Sequence, residues 1–219
     1  MPNYIKNRLT IIGNTKDVFA FVKSKETVFD FNKIIPMPKE LEIEDSSTGD
    51  LVAELLLLKG MSSFPNQRKI NEIEKRLYGY NQLNEAMDLG KKYIANIAKY
   101  GHKTWYGWRS ENWGTKWNAI EPSVIAKNCI QFDTAWAGVI KLIEKLSTIF
   151  PESTFEYKYS DEDTGCNCGR GTIKNGVSEM EFPENYSREA YELAFELRPD
   201  NAKYYKLEDG HYVNKEDEE

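Results

Sequence analysis

The order of strand-like and helix-like patterns along the chain constrains its fold more than any other feature. Three segments alternate apolar with polar side chains, as strands with one buried face do. They are residues 4–12, 128–136 and 153–160. Apolar residues at helical spacing predict helices over residues 15–25 and 137–149. With two short strands expected in the aromatic segment 104–120, the order is β-α-β-β-α-β, which is the ferredoxin-like arrangement. We therefore predict an α+β fold, a ferredoxin-like sandwich with a mostly antiparallel sheet.

A helical insertion is expected after the first strand-helix unit. Residues 51–59, 66–78 and 81–100 carry apolar side chains at helical spacing. We place a ferredoxin-like domain at residues 1–176, with the insertion at about 39–100. A C-terminal extension at 177–219 then contains one helix, a small hairpin around Asp209-Gly210 and an acidic tail.

Composition narrows the function classes. The chain has 219 residues, with 29 Lys and Arg against 35 Asp and Glu, so its net charge is −6. That balance argues against a general nucleic-acid binder, because phosphate contacts need clustered Lys and Arg. The first residues have no apolar signal-peptide core, and the longest apolar run, residues 55–58, is too short to span a bilayer. We therefore expect a cytoplasmic protein with no membrane contact.

The cysteines do not predict a cofactor. Three cysteines are an odd number without regular spacing, which argues against a secreted disulfide scaffold. Cys166 and Cys168 could share a soft metal, but a zinc site needs four ligands, and only Cys129 and two histidines remain as candidates. We favour a turn with reduced cysteines, and we assign no metal site, no cofactor and no catalytic residue.

An aromatic segment is the most distinctive motif. Four of the five tryptophans fall in residues 105–117, and Trp136 follows the next strand. On a hairpin, Trp113 and Trp117 would share one face and form a platform that can stack on bases, sugars or protein side chains. The other interpretation, which we favour for an aromatic stripe at strand spacing, is that these tryptophans pack in the core. The candidate binding residues are Trp105, Trp108, Asn112, Trp113, Lys116, Trp117, Asn118, Asp133 and Trp136.

The same region resembles a known family. The matching residues are Asn112-Trp113-Gly114-Thr115-Lys116-Trp117-Asn118, Phe132-Asp133-Thr134-Ala135-Trp136, Phe150-Pro151, Asn7-Arg8-Leu9 and Pro36-Met37-Pro38. In these the chain is similar to the ferredoxin-like domain of YubB-like proteins, which phages, plasmids and other mobile elements largely encode. The resemblance implies a ferredoxin-like fold and an unknown function, and it transfers no catalytic residue.

These observations lead to three function hypotheses. We favour a non-enzymatic accessory protein of a mobile element that binds an unidentified protein partner through the aromatic hairpin face. The second is a single-stranded nucleic-acid-binding module, since ferredoxin-like sheets can present aromatic residues to single strands. Its basic rim would consist of Lys6, Arg8, Arg109 and Lys116. The third is an enzyme of unknown reaction, whose site would be built from His102, Asn112, Lys116 and Asp133.

Overall fold

The computed structural model describes residues 2–60, 66–80 and 83–215. The chain forms two compact units. The first comprises the residues up to Pro36 and those from Arg109 onward, and the second comprises Met37–Trp108.

The first unit contains all of the described strands, and the second contains three long helices. The strands are β1 (Tyr4–Ile12), β2 (Ile120–Ala126), β3 (Cys129–Ala135), β4 (Thr154–Asp161), β5 (Gly169–Lys174), β6 (Val177–Glu181), β7 (Tyr205–Glu208) and β8 (His211–Asn214). The helices are α1 (Thr15–Val22), α2 (Phe31–Ile34), α3 (Ser47–Gly60), α4 (Gln67–Leu77), α5 (Leu83–Tyr100), α6 (Trp105–Asn112), α7 (Ile140–Ile149) and α8 (Arg188–Leu197).

The main sheet has six strands in the order β2-β3-β1-β4-β5-β6. Every neighbouring pair is antiparallel. The first four strands follow the β-α-β-β-α-β order along the chain, so the predicted ferredoxin-like α+β class is confirmed. The sheet continues past residue 176, the predicted end of the ferredoxin-like domain, because β6 pairs with β5. The acidic tail predicted at the end of the chain falls mostly on residues 216–219, which lie outside the described residues.

One face of this sheet forms the core of the first unit. β1 places Ile5, Asn7, Leu9 and Ile11 on this face, and each is at most 1% exposed. The helix predicted after the first strand is present as α1, and the helix predicted over residues 137–149 is present as α7. Asn14 caps α1 by accepting a hydrogen bond from the Asp17 N–H. The apolar stripe of α7 that lies in this core is Leu142, Ile143 and Leu146.

The opposite face of the sheet is polar and partly covered by α8. α8 is the one helix predicted in the C-terminal extension, and Ser187 caps it. Glu196 on this helix pairs with Arg8 of β1 at 3.4 Å and with Lys158 of β4 at 2.9 Å. The predicted hairpin beyond it is also present as β7–β8, with Asp209 and Gly210 at positive φ in its turn.

The second unit is built on close contact between α3 and α5. A Cβ at Gly90 would lie 2.6 Å from a methyl carbon of Val52, so only glycine lets the two helices approach this closely. The three helices predicted here are present, and α3 begins at Ser47, ahead of the predicted residue 51. Six of their buried residues form one apolar cluster: Val52, Leu55, Ile70, Ile73, Leu77 and Ala86.

Candidate binding surface

The aromatic segment does not form the predicted hairpin. Its first half is α6, and the backbone N–H of Trp113 still donates to the Arg109 carbonyl at 2.7 Å. Gly114 follows with φ of 80°, the left-handed conformation in which a glycine ends a helix. Trp105 and Trp108 are three residues apart, a helical spacing that the alternation of Trp113, Thr115 and Trp117 obscures. The hairpin prediction is therefore wrong, and β2 begins only at Ile120.

Trp113 belongs to the core of the first unit. Its side chain has no exposed surface, and its indole N–H donates to the Ile35 carbonyl at 2.9 Å. Its ring meets Phe31 edge to face, with ring centroids 5.7 Å apart, and the Arg109 guanidinium lies 5.0 Å from the ring centroid. A ligand therefore cannot reach Trp113 in this conformation.

Asn118 and Asp133 make contacts that support the fold. Asn118 accepts a hydrogen bond from the Phe31 N–H at 2.9 Å and donates to Asp30 at 2.8 Å. These bonds tie the segment before β2 to the start of α2. Asp133 pairs with Lys6 across the strand pair β1–β3, with an N···O distance of 2.7 Å.

The two tryptophans at the start of the aromatic segment, Trp105 and Trp108, lie in the second unit. Trp108 is 8% exposed, and Trp105 is half-buried with its ring edge to face with Tyr106. Asn112 is the last residue of α6 and is half-buried in the first unit.

The structure brings together three of the predicted residues: Lys116, Trp117 and Trp136. The Lys116 ammonium lies 3.9 Å from the ring centroid of Trp117 and 4.0 Å from that of Trp136. Both distances are well inside the range of cation–π attraction. We call these three residues the Trp136 patch, since Trp136 exposes 46% of its surface.

Backbone contacts fix the position of the patch. Thr115 exchanges hydrogen bonds with the last residue of β3: its hydroxyl donates to the Ala135 carbonyl at 2.9 Å and accepts from the Ala135 N–H at 3.1 Å. Trp136 has a φ of 70°, which is unusual for a bulky residue. Its N–H donates to the Asn3 carbonyl, and its own carbonyl accepts from the Asn167 side chain. The exposed indole is thus held on a well-anchored turn.

A buried polar network supports the same turn from below. The Asn7 amide donates to the Thr134 hydroxyl at 2.9 Å, and that hydroxyl donates to the Ala137 carbonyl at 2.7 Å. The Tyr157 hydroxyl donates to the Asn7 side-chain oxygen and accepts from the Val139 N–H at 2.7 Å. Complete burial raises the pKa of Tyr157 above its ordinary value. The alternation of β1 already places Asn7 on the inward face, so this signal was present in the sequence.

The patch offers a positive charge framed by two aromatic rings. Among the described residues, no carboxylate forms an ion pair with Lys116. Chemically, the arrangement suits a carboxylate that meets the ammonium beside an apolar group that meets Trp136.

The cysteines and acidic side chains of the described residues do not add a metal site to this patch. The three cysteines are free thiols, and burial raises the pKa of the Cys168 thiol to about 12, so it stays protonated near neutral pH. Over the described residues, no three His, Cys, Asp or Glu side chains cluster in a way that could hold a metal ion. In the same part of the chain, no helix combines the length and the apolar character needed to cross a membrane.

Comparison with models of protein families agrees with the fold. No curated protein matches the chain. A solved structure, that of protein api92 from Yersinia pseudotuberculosis, is 13% identical, with a TM-score of 0.39, over 84% of this chain and 99% of that one. Residues 112–199 match the family model described as "Ferredoxin-like domain in Api92-like protein". This part of the chain is therefore similar to the ferredoxin-like domain of Api92-like proteins, whereas the YubB-like resemblance stays a prediction.

Proposed function

We propose that this chain is a non-enzymatic interaction module that binds a protein partner through the Trp136 patch. The observation that carries the proposal is the Lys116 ammonium between two indole rings, one of which is 46% exposed. The cytoplasm of a cell that carries a mobile element, as the YubB-like resemblance implies, is the setting that we propose for this interaction.

An exposed, anchored tryptophan is a favourable element of a protein interface. Tryptophan is enriched among the residues that contribute most to binding energy, because it buries a large area with few rotatable bonds. The turn that carries Trp136 is held by hydrogen bonds to Asn3 and Asn167, so little conformational entropy is lost when a partner covers it.

Charge identifies the partner's chemistry. Lys116 contributes a positive charge that no described carboxylate neutralises by ion pairing. A partner segment with Asp or Glu next to an apolar side chain would supply the counter-charge and cover Trp136 at the same time.

The other cations of the predicted basic rim favour a protein over a nucleic acid. Of the basic rim proposed for single strands, Lys6 pairs with Asp133 and Arg8 pairs with Glu196. The Arg109 guanidinium lies over the buried Trp113 ring. To bind Lys6, Arg8 or Arg109, a phosphate would have to displace the partner of that side chain. Of the four rim residues, only Lys116 could bind a phosphate without breaking an ion pair or uncovering a buried ring.

Selection from a phage-displayed library of random peptides tests this proposal on the full chain. We expect the enriched peptides to carry Asp or Glu beside an apolar residue, and their affinity to fall about tenfold or more in Trp136→Ala and Lys116→Met. The matched controls are Phe182→Ala, which removes a ring that is 62% exposed, and Lys127→Met, which removes an exposed lysine. Both should bind the peptides as the unmodified chain does.

Two results would overturn the proposal. One is a set of peptides whose affinity is unchanged by Trp136→Ala in a protein that still folds. The other is salt-sensitive binding of single-stranded oligo-dT that both patch variants abolish while no peptide binds, which would make the chain a nucleic-acid module.

A further inference from the structure

A second cluster of aromatic residues lines an open pocket in the first unit, away from the tryptophan motif in sequence. The pocket has a volume of about 480 Å³. Its wall consists chiefly of Tyr186, Tyr191, Tyr205 and Tyr212. A volume of this size is within the range of small-ligand sites.

The rings surround Tyr191 without stacking on one another. The ring centroid of Tyr191 lies 5.1 Å from that of Tyr205, 5.5 Å from that of Tyr212 and 6.4 Å from that of Tyr186. The interplanar angles are 51°, 51° and 47°, so no ring fully covers the face of its neighbour. The pocket is therefore lined by aromatic surface at several orientations.

The backbone holds two of these rings in place. A Cβ at Gly165 would lie 2.9 Å from a ring carbon of Tyr191, so the glycine lets that ring pack directly on the loop. Tyr186 has a φ of 62°, and its N–H donates to the Gly165 carbonyl at 2.7 Å. One short loop thus positions both tyrosines.

The charge of the lining is negative. Asp163 and Glu208 line the pocket, and its lining contains no Lys or Arg among the described residues. Glu208 pairs with Lys206 at 2.8 Å, whereas Asp163 accepts a hydrogen bond from the Tyr186 hydroxyl at 3.0 Å. That bond raises the pKa of Tyr186 to about 12, so the phenol stays neutral near neutral pH.

We propose that the tyrosine pocket binds an alkylammonium group, either a small quaternary amine or the methylated side chain of a lysine. Aromatic faces attract such cations through the ring quadrupole. Because alkylammonium ions are weakly hydrated, the free energy needed to remove them from water is small. Asp163 supplies the opposite charge, and one of its carboxylate oxygens already accepts a hydrogen bond from the Tyr186 hydroxyl. The pocket is distinct from the Trp136 patch, which already contains its own ammonium group.

Choline chloride is the probe, and its neutral isostere 3,3-dimethyl-1-butanol is the control ligand. Amide chemical shifts of the full chain, followed by two-dimensional NMR, give the affinity of each. We expect choline to bind about tenfold or more tightly than the alcohol, with shifts centred on residues of the pocket. Equal affinity for the two ligands would overturn the proposal.

Three variants test the residues themselves. Tyr186→Asn removes one ring while keeping a residue that tolerates positive φ, and Asp163→Asn removes the charge. Each should weaken choline binding about fivefold or more. Tyr204→Ala removes a neighbouring ring that is 46% exposed and does not line the pocket, so it should change nothing. Unchanged binding in both pocket variants, with their fold verified by NMR, would contradict the assignment.

A second titration distinguishes the two sources of the cation. A short peptide that contains trimethyllysine is compared with the same peptide that contains unmodified lysine. Tighter binding of the methylated peptide than of choline identifies a protein side chain as the ligand. Binding of choline without preference for the methylated peptide identifies a small quaternary amine.

Discussion

Trp113 and Trp136 are both indoles of the first unit, yet one has no exposed surface and the other exposes 46%. Trp113 has its N–H bonded to a backbone carbonyl and its ring against Phe31. Trp136 has its ring against a lysine ammonium, on a turn at positive φ. The same side chain thus stabilises the fold at one position and offers a contact surface at the other.

The difference arises from the backbone conformation where each preceding element ends. Trp113 precedes Gly114, whose left-handed φ ends α6 and leaves the indole directed into the core. Trp136 comes directly after β3 and takes the left-handed conformation itself, so it leaves the sheet instead of continuing the alternation of the strand. A glycine carries the unusual φ in the first case, and a bulky residue carries it in the second.

The largest expected effect is the loss of the buried indole. Trp113→Ala should lower the free energy of unfolding by about 3–5 kcal/mol, because it leaves a cavity and an unpaired Ile35 carbonyl. Trp136→Ala should lower it by about 1 kcal/mol or less. Urea unfolding of the two variants measures both changes, and equal losses would remove the distinction between the two tryptophans.

The polar network beneath the turn should come next in size. Tyr157→Phe leaves the Asn7 oxygen and the Val139 N–H without their partner in a fully buried site, which should cost about 1–3 kcal/mol. Urea unfolding at neutral pH measures this loss. A loss below the resolution of the method would mean that the network does not hold the turn that carries Trp136.

The same tyrosine predicts an alkaline transition. Burial raises the pKa of Tyr157 in the folded state, whereas the phenol of the unfolded chain ionises near its ordinary value of about 10. Its contribution is therefore fully present below about pH 10 and decreases as the pH rises above that value, by up to about 1.4 kcal/mol per pH unit. Tyr157→Phe should show a shallower decline in unfolding free energy above pH 10, and an identical decline would contradict this account.

The end of α6 gives a smaller test. Gly114→Ala places a Cβ at positive φ, which should cost about 1–2 kcal/mol although the nearest atom would be 3.5 Å away. Thermal unfolding measures the loss. A stabilising effect would mean that residue 114 does not need the left-handed conformation.

The smallest expected effect is at the surface. Lys116→Met removes the ammonium between two indoles, and the unfolding free energy should fall by about 1 kcal/mol or less, as an exposed cation–π contact does. Lys127→Met removes an exposed lysine and serves as the control in the same urea titration. A loss as large as that of Trp113→Ala would show that the patch belongs to the core.

Much of the fold could be predicted because its signals are local. Alternation over residues 4–12 and 153–160 reports a buried sheet face, and Ser187 begins a helix as its sequence context predicts. The strand order β2-β3-β1-β4-β5-β6 was not predicted, because it depends on which segments pair, and local alternation does not report pairing. The short helix α6 was missed because a strand-like alternation of Trp113, Thr115 and Trp117 comes directly after it.

The candidate site could be predicted only in part. Lys116, Trp117 and Trp136 do meet, but alternation could not show that Trp113 is buried, since its burial depends on Phe31 and Ile35, far away in sequence. The tyrosine pocket was missed for the same reason. Its rings come from a loop, from α8 and from the β7–β8 hairpin, and no spacing in the sequence relates them.

One measurement tests the central claim most directly: unfolding free energy and peptide affinity of Trp136→Ala, determined on the same preparation with a peptide selected against the unmodified chain. We predict a stability within about 1 kcal/mol of the unmodified chain and an affinity about tenfold or more lower. An unchanged affinity in a stable protein, or a loss of binding that accompanies unfolding, would contradict the assignment of binding to the Trp136 patch.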